Sequence, residues 1–256
     1  MLIAALDTST LTLSCALCEI ERGEVRLVGE RTERAAAKAG PQGPTGGHGG
    51  RLPGALSDLL VAVGAKLADV EGYAIGLGPG SFTGLRIGLA TWKGLAYANR
   101  RPIAGASSLA AMALAAAPVA GEDAVLIPLL DAKKGEIYAG FYRRRGARVE
   151  AAAPEAALAP ALLAARAAAF EAARLRPMAF GDGLGAYREA LAAFPVLTTE
   201  VERPPALAVA RLCAAELDGA KYDAAKLFAL EPHYVRASEA EIKFPHGLGA
   251  GATKPG

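Results

Sequence analysis

The chain has 256 residues, 52% of them hydrophobic, with 28 basic and 26 acidic side chains and a net charge of +2. That length allows one or two domains and a sizeable core. The balanced charge argues against a nucleic-acid groove, and no apolar run reaches the roughly 18 residues that a membrane helix needs.

Leu2–Leu6 is apolar and ends on Asp7-Thr8-Ser9-Thr10, a first strand meeting a polar loop. The start has no basic n-region and too short an apolar run for a signal peptide, so a cytoplasmic location is expected. Thr12–Ile20 reads as a second strand, turning at Glu21-Arg22-Gly23-Glu24 and returning through Val25–Glu33. Cys15 and Cys18 form a CxxC inside that run. Strand alternation sends their sulfurs to opposite faces, and no second pair completes a zinc site. With Cys213 the count is odd, so three buried free thiols are expected. Residues 36–50 are rich in Gly, Pro and Ala and read as a mobile loop. Leu52, Ala55, Leu56, Leu59, Leu60 and Val63 recur at helical spacing, predicting a helix over about 50–64 with Pro53 in its first turn.

Tyr73–Leu77 is the next strand, and it runs into Gly78-Pro79-Gly80-Ser81-Phe82-Thr83-Gly84. The glycines allow close backbone approach, and Ser81 and Thr83 are candidate caps for a helix over 82–98. Free amides and the positive end of a helix dipole at such a place can hold an anion. On that helix Gly84, Gly88 and Thr91 form a small-residue stripe, Leu85, Leu89, Trp92 and Ala96 an apolar one, and Arg86, Ala90, Lys93 and Tyr97 a third. The sequence leaves open which stripe faces outward. Arg86 is expected to tether the glycine loop through carbonyls.

The second half repeats the plan. Ala124–Leu130 is a strand ending at Asp131, followed by strands at Glu136–Tyr142 and Ala147–Glu150. An Ala-rich stretch over about 155–174 reads as a helix broken by Pro160. Pro177–Phe180 is a strand leading into Gly181-Asp182-Gly183 and a helix over 184–194. Asp7 therefore corresponds to Asp131, and the loop at 78–84 to that at 181–183. Such duplication predicts two similar α/β lobes on the actin-like plan, 1–104 and a smaller 105–236. A helix over about 205–218, able to pack back on the first lobe, and an extended 231–236 follow. Residues 237–256 read as a flexible tail.

At this point the chain resembles the TsaB, or YeaZ, family. Leu6–Ser9, Arg51–Leu56 behind His48, the run Gly78–Gly88, Leu130–Tyr138 and Pro232-His233-Tyr234-Val235-Arg236 carry the resemblance. The insert at 39–47 and the tail depart from the pattern. The resemblance implies an actin-like (ASKHA) fold with a degenerate second lobe. It also implies a non-catalytic partner of TsaD, the subunit that transfers threonylcarbamoyl to N6 of adenosine 37 in tRNAs reading codons that begin with A. TsaE joins the larger complex, tRNA is met only through it, and the lone chain can form a homodimer. TsaB and TsaD are expected to join through N-terminal lobes, here through helices 50–64 and 82–98. Leu52, Leu56, Leu59, Gly84, Arg86, Gly88, Thr91, Lys93 and Tyr97 are the interface candidates.

The chemistry-bearing residues agree with a role without catalysis. His48, His233 and His246 lie too far apart in sequence for a metallopeptidase pair, and neither a metal nor a cofactor is expected. Asp7 and Asp131 stand where Mg²⁺-orienting carboxylates would stand in an actin-like ATPase, which is the alternative reading. Their loops nevertheless hold one glycine between them, and the 78–84 loop lacks the Lys-Ser/Thr pair of a P-loop. Ser81 fails the GxSxG spacing of a nucleophile elbow. Asp7, Thr8, Ser9, Gly78, Gly80, Ser81, Thr83, Gly84 and Asp131 are accordingly read as degenerate nucleotide-loop positions.

Overall fold

The computed structural model describes residues 1–34 and 48–236. The 39–47 insert, the tail from 237 and His246 lie outside the described residues. The first sheet holds β1 (Leu2–Asp7), β2 (Thr12–Glu21), β3 (Glu24–Arg34), β4 (Gly72–Gly76) and β5 (Ile103–Ala106), in the order β3-β2-β1-β4-β5. β1–β3 form an antiparallel meander, and β4 and β5 add in parallel through α1 (His48–Ala62) and α2 (Phe82–Ala98). The β2–β3 turn is tight because Arg22 and Gly23 both take positive φ, 53° and 80°.

After α3 (Ser108–Ala116) the winding repeats with β6 (Ala124–Lys133), β7 (Glu136–Arg145), β8 (Arg148–Leu158), α4 (Leu163–Ala172), β9 (Arg176–Phe180) and α5 (Asp182–Ala186). The second sheet runs β8-β7-β6-β9, with β9 parallel to β6. Its fifth strand is reduced to one parallel bridge, Ala179 with Val196. This is the actin-like plan, twice wound and degenerate in its second half. α6 (Ala206–Leu217) and α7 (Ala224–Ala229) are the last helices among the described residues, and both pack against the first half.

Burial on both faces explains the near-continuous apolar runs of β1 and β2. Leu6, Leu13, Cys15 and Leu17 face α1 and α2, whereas Ile3, Ala16, Cys18 and Ile20 face α6. The two thiols of the CxxC thus lie on opposite faces of the sheet, both buried. Burial pushes each up to about 12. Among the described residues no helix is long and apolar enough to cross a membrane.

Several predicted boundaries need correction. The third strand of the second sheet extends to Leu158, because cross-strand pairing down to Ile137–Leu158 overrides the helix preference of its alanines. Helix therefore begins only at 163, after a short 3-10 turn at Pro160–Leu162. α5 stops at Ala186 rather than 194. β6 continues past Asp131 to Lys133. α1 starts at His48, which places Pro53 in the second turn and removes one helix hydrogen bond there. β5, α3 and α7 had no reading from the sequence.

Candidate functional site

The C-terminal ends of β1 and β6 face each other across a cleft of about 580 Å³. Ser9, Gly80 and Ser81 line it from the first half, and Asp131, Lys133 and Asp182 from the second. Arg203 and Arg236 also reach it, and neither carried a sequence signal as a cleft residue.

Asp7 ends β1 and is 1% exposed. Its Oδ1 accepts from the Ser9 amide at 2.8 Å and the Ser9 hydroxyl at 2.6 Å. Its Oδ2 accepts from the Ser108 hydroxyl at 2.5 Å. Burial raises its pKa above the ordinary 3.8, against the pull of hydrogen bonds from Ser108 and Ser9. Both carboxylate oxygens are thus occupied by protein donors. Ser108 was missed because it lies 101 residues away, at the start of the unread α3.

Three amides of the glycine loop are also taken by protein acceptors. The Gly78 amide donates to Ser108 Oγ at 3.1 Å, the Ser81 amide to the Ser9 carbonyl at 2.6 Å, and the Gly84 amide to Ser81 Oγ at 3.2 Å. Gly78 needs its φ of +95°. A Cβ on Gly80 would lie 2.2 Å from the Ser9 carbonyl oxygen. The loop is therefore pressed on the β1–β2 connection. Ser81 caps α2, whereas Thr83 is exposed and makes no cap, which corrects one of the two candidates. Thr8 donates from its hydroxyl to the Gly84 carbonyl at 2.9 Å.

Asp131 repeats the turn of Asp7 but in a wetter place. Its Oδ1 accepts from the Lys133 amide at 2.8 Å, as Asp7 Oδ1 does from Ser9. The same oxygen accepts from the Tyr187 hydroxyl at 3.1 Å, and Oδ2 accepts from Lys133 Nζ. Burial would raise its pKa, but the Lys133 contacts and the Tyr187 bond outweigh it and hold the carboxyl below the ordinary range.

The helix surfaces correct the interface candidates. Leu52, Leu56, Leu59, Gly84 and Gly88 are all buried within the first half. A Cβ on Gly88 would sit 2.2 Å from Thr8 Oγ1, so the small stripe exists to admit the β1–β2 connection. Thr91 is half-buried and bonds back to the Ile87 carbonyl. On the third stripe Arg86, Ala90 and Tyr97 are exposed, whereas Lys93 is half-buried. On α1 the outward residues include Gly54, Ser57 and Val61. Arg86 does not tether loop carbonyls. It stacks 3.8 Å over the Phe82 ring and donates to the Tyr234 hydroxyl at 3.2 Å. Lys93 and Tyr97 meet α7 through the Phe228 carbonyl and ring. Among the described residues no group of three or more His, Cys, Asp or Glu is placed to hold a metal.

Comparison with known proteins gives a consistent picture. Residues 41–244 match the family model described as TsaD: tRNA N6-adenosine threonylcarbamoyltransferase. The Escherichia coli K12 tRNA threonylcarbamoyladenosine biosynthesis protein TsaB is 36% identical over 144 residues, 56% of each chain. The chain spans about half the length of the curated relatives it matches. A solved YeaZ from Pseudomonas aeruginosa is 30% identical with a TM-score of 0.69, covering 91% of this chain and 99% of that one. A second Pseudomonas aeruginosa structure, described as similar to peptidase YeaZ, is 30% identical with a TM-score of 0.72, covering 92% and 99%.

Proposed function

The chain belongs to the TsaB (YeaZ) family, and from that premise we propose that it is a non-catalytic subunit in tRNA threonylcarbamoyladenosine biosynthesis, acting by binding a TsaD-type catalytic partner. The partner transfers threonylcarbamoyl to N6 of adenosine 37 in tRNAs reading codons that begin with A. A TsaE-type ATPase joins the larger assembly, and tRNA is met only within it. One observation carries the non-catalytic reading: the carboxylate at the end of β1 is buried with both oxygens taken by Ser9 and Ser108. Three protein donors leave such a carboxylate one of its roughly four lone-pair sites, and it lies buried behind Ser9 rather than on the cleft wall, poorly placed to ligate a metal there.

Docking uses the first lobe, residues 1–104, with 105–236 as the second. Its surface is formed by the outward faces of α1 and α2, where Gly54, Ser57, Ala90, Gly94 and Tyr97 are exposed. Gly54 and Gly94 have no atom within 4 Å of a built Cβ, so a partner helix can approach the backbone closely there. The same face pairs two copies when the partner is absent. Reconstitution of the modification reaction with and without this chain tests the proposal. Loss of activity on omission is expected, and full-rate modification by the catalytic subunit alone would overturn it.

The cleft itself favours a second reading, a nucleotide-dependent phosphotransferase, because its volume suits such a ligand. Calorimetry with Mg-ATP on the isolated chain separates the two: tight binding supports the second reading, and no heat supports the first.

A further inference from the structure

The chain passes between the two sheets at α3 and again in the segment before α6. Residues 231–236 make a third crossing, held by hydrogen bonds, a ring contact, ion pairs and the packing of Val235 on the core of the second half. The His233 amide donates to the Leu77 carbonyl at 2.7 Å, just beyond β4. The His233 ring reaches the other half, with Nε2 3.3 Å from Glu155 Oε2 on β8. Tyr234 returns to the first half, its ring 5.3 Å from that of Phe82 and its hydroxyl bonded to Arg86. Arg236 crosses back, its Nη1 2.8 Å from Glu136 Oε2 and 3.4 Å from the Ala132 carbonyl, where it lines the cleft.

We propose that residues 231–236 are a staple that sets the opening of the cleft and couples it to the outward face of α2. The His233 amide and Tyr234 grip the first half, and the His233 ring, Val235 and Arg236 the second, so the halves cannot part without breaking contacts on one side or the other. Arg86 is the external handle. Its stacking and hydrogen-bond partners are Phe82 and Tyr234, both on the first half's side of the staple. Tyr234 is flanked in sequence by His233 and Val235, which touch the second half, with Arg236 one residue further on. A molecule that draws Arg86 away from Tyr234 loosens the staple, and so the cleft. The starting segment is anchored on α2 as well, by the Lys93 bond to the Phe228 carbonyl and the Tyr97–Phe228 ring contact.

Interlobe distance is the readout. Leu67→Cys, after α1, and Leu162→Cys beyond β8 place spin labels on exposed sites of opposite halves, and dilution with unlabelled chain keeps the distances within one copy. The native thiols are buried with pKa values pushed up to about 12, so they stay unlabelled. The parent should give one narrow distance distribution by pulsed EPR. Arg236→Ala should broaden it and shift it to longer distance, and Glu136→Gln should do so less. Arg86→Ala should produce the same shift although Arg86 makes none of these contacts to the second half. A merely stabilising role for the segment would lower the melting temperature and leave the distance unchanged. If Arg236→Ala and Glu136→Gln both leave it unchanged, the staple is overturned. A shift with Arg236→Ala but none with Arg86→Ala overturns the coupling to α2.

Discussion

The two halves of the chain end their first strands on the same local turn, and differ in what surrounds it. In both, an aspartate Oδ1 accepts the amide two residues on, Ser9 for Asp7 and Lys133 for Asp131. In both, a glycine at positive φ opens the loop of the crossover strand, Gly78 and Gly181. Asp7 is then buried between Gly76 and the start of α3 and bonded to Ser108, whereas Asp131 stays at the wall of the cleft. The first half kept a 17-residue helix after its loop, and the second kept five residues. One backbone device has thus become a structural knot in one half and a solvated ion pair in the other.

The largest expected contrast is between removing the two carboxylates. Asp7→Ala strands the Ser9 amide and two hydroxyls in a buried place, at a cost of about 1–3 kcal/mol per unsatisfied group. Asp131→Ala should cost within about 1 kcal/mol, since water can replace it around Lys133. Urea unfolding of both variants checks this. Equal losses would mean that the two turns are equivalent after all.

Next comes the fit of α2 on the β1 end. Gly88→Ala should destabilise by about 1–3 kcal/mol, because Thr8 Oγ1 lies 2.2 Å from the new Cβ and is already bonded to the Gly84 carbonyl. Gly94→Ala, on the open side of the same helix, should stabilise by roughly 0.5–1 kcal/mol. The reverse order would place the small stripe outside.

The docking proposal predicts an asymmetry between halves. Gly94→Arg on α2 should weaken TsaD binding by about tenfold or more while the chain stays folded. Gly185→Arg on α5, equally open, should leave binding unchanged. Titration calorimetry with the partner decides, and a loss with Gly185→Arg alone would move the interface to the second half.

Legibility in the sequence followed the range of the interactions. α2 was readable to both ends because Ser81, the glycine loop and the apolar stripe are local signals. The C-terminal part of β8 was misread because its alanines favour helix, and the non-local pairing with β7 that overrides them leaves no local signal. The matching aspartates were visible as a repeat, but the sealing of Asp7 was not, since Ser108 lies 101 residues on. The outward face of α2 was equally hidden. Glycine, threonine and alanine stand on both its covered and open sides, so composition carries no direction.

The smallest effect to look for is in the pH dependence of stability, where the two aspartates should act with opposite sign. Burial holds the Asp7 pKa above its ordinary 3.8, so the native chain keeps a proton that the unfolded chain has released. Stability therefore falls as pH rises from about 3.8 through the raised value, and the Asp7 carboxylate is a net cost above it. For Asp131 the Lys133 and Tyr187 contacts prevail over burial and lower the pKa. Its contribution is present above 3.8 and lost as pH falls through the lowered value. Asp7→Asn should flatten the profile above 3.8, and Asp131→Asn should flatten it below. Urea midpoints measured across that range test both arms. A slope above 3.8 that persists in Asp7→Asn would show that the sealed carboxyl is not what the native state protonates there, and the contrast between the two strand ends would rest on packing alone.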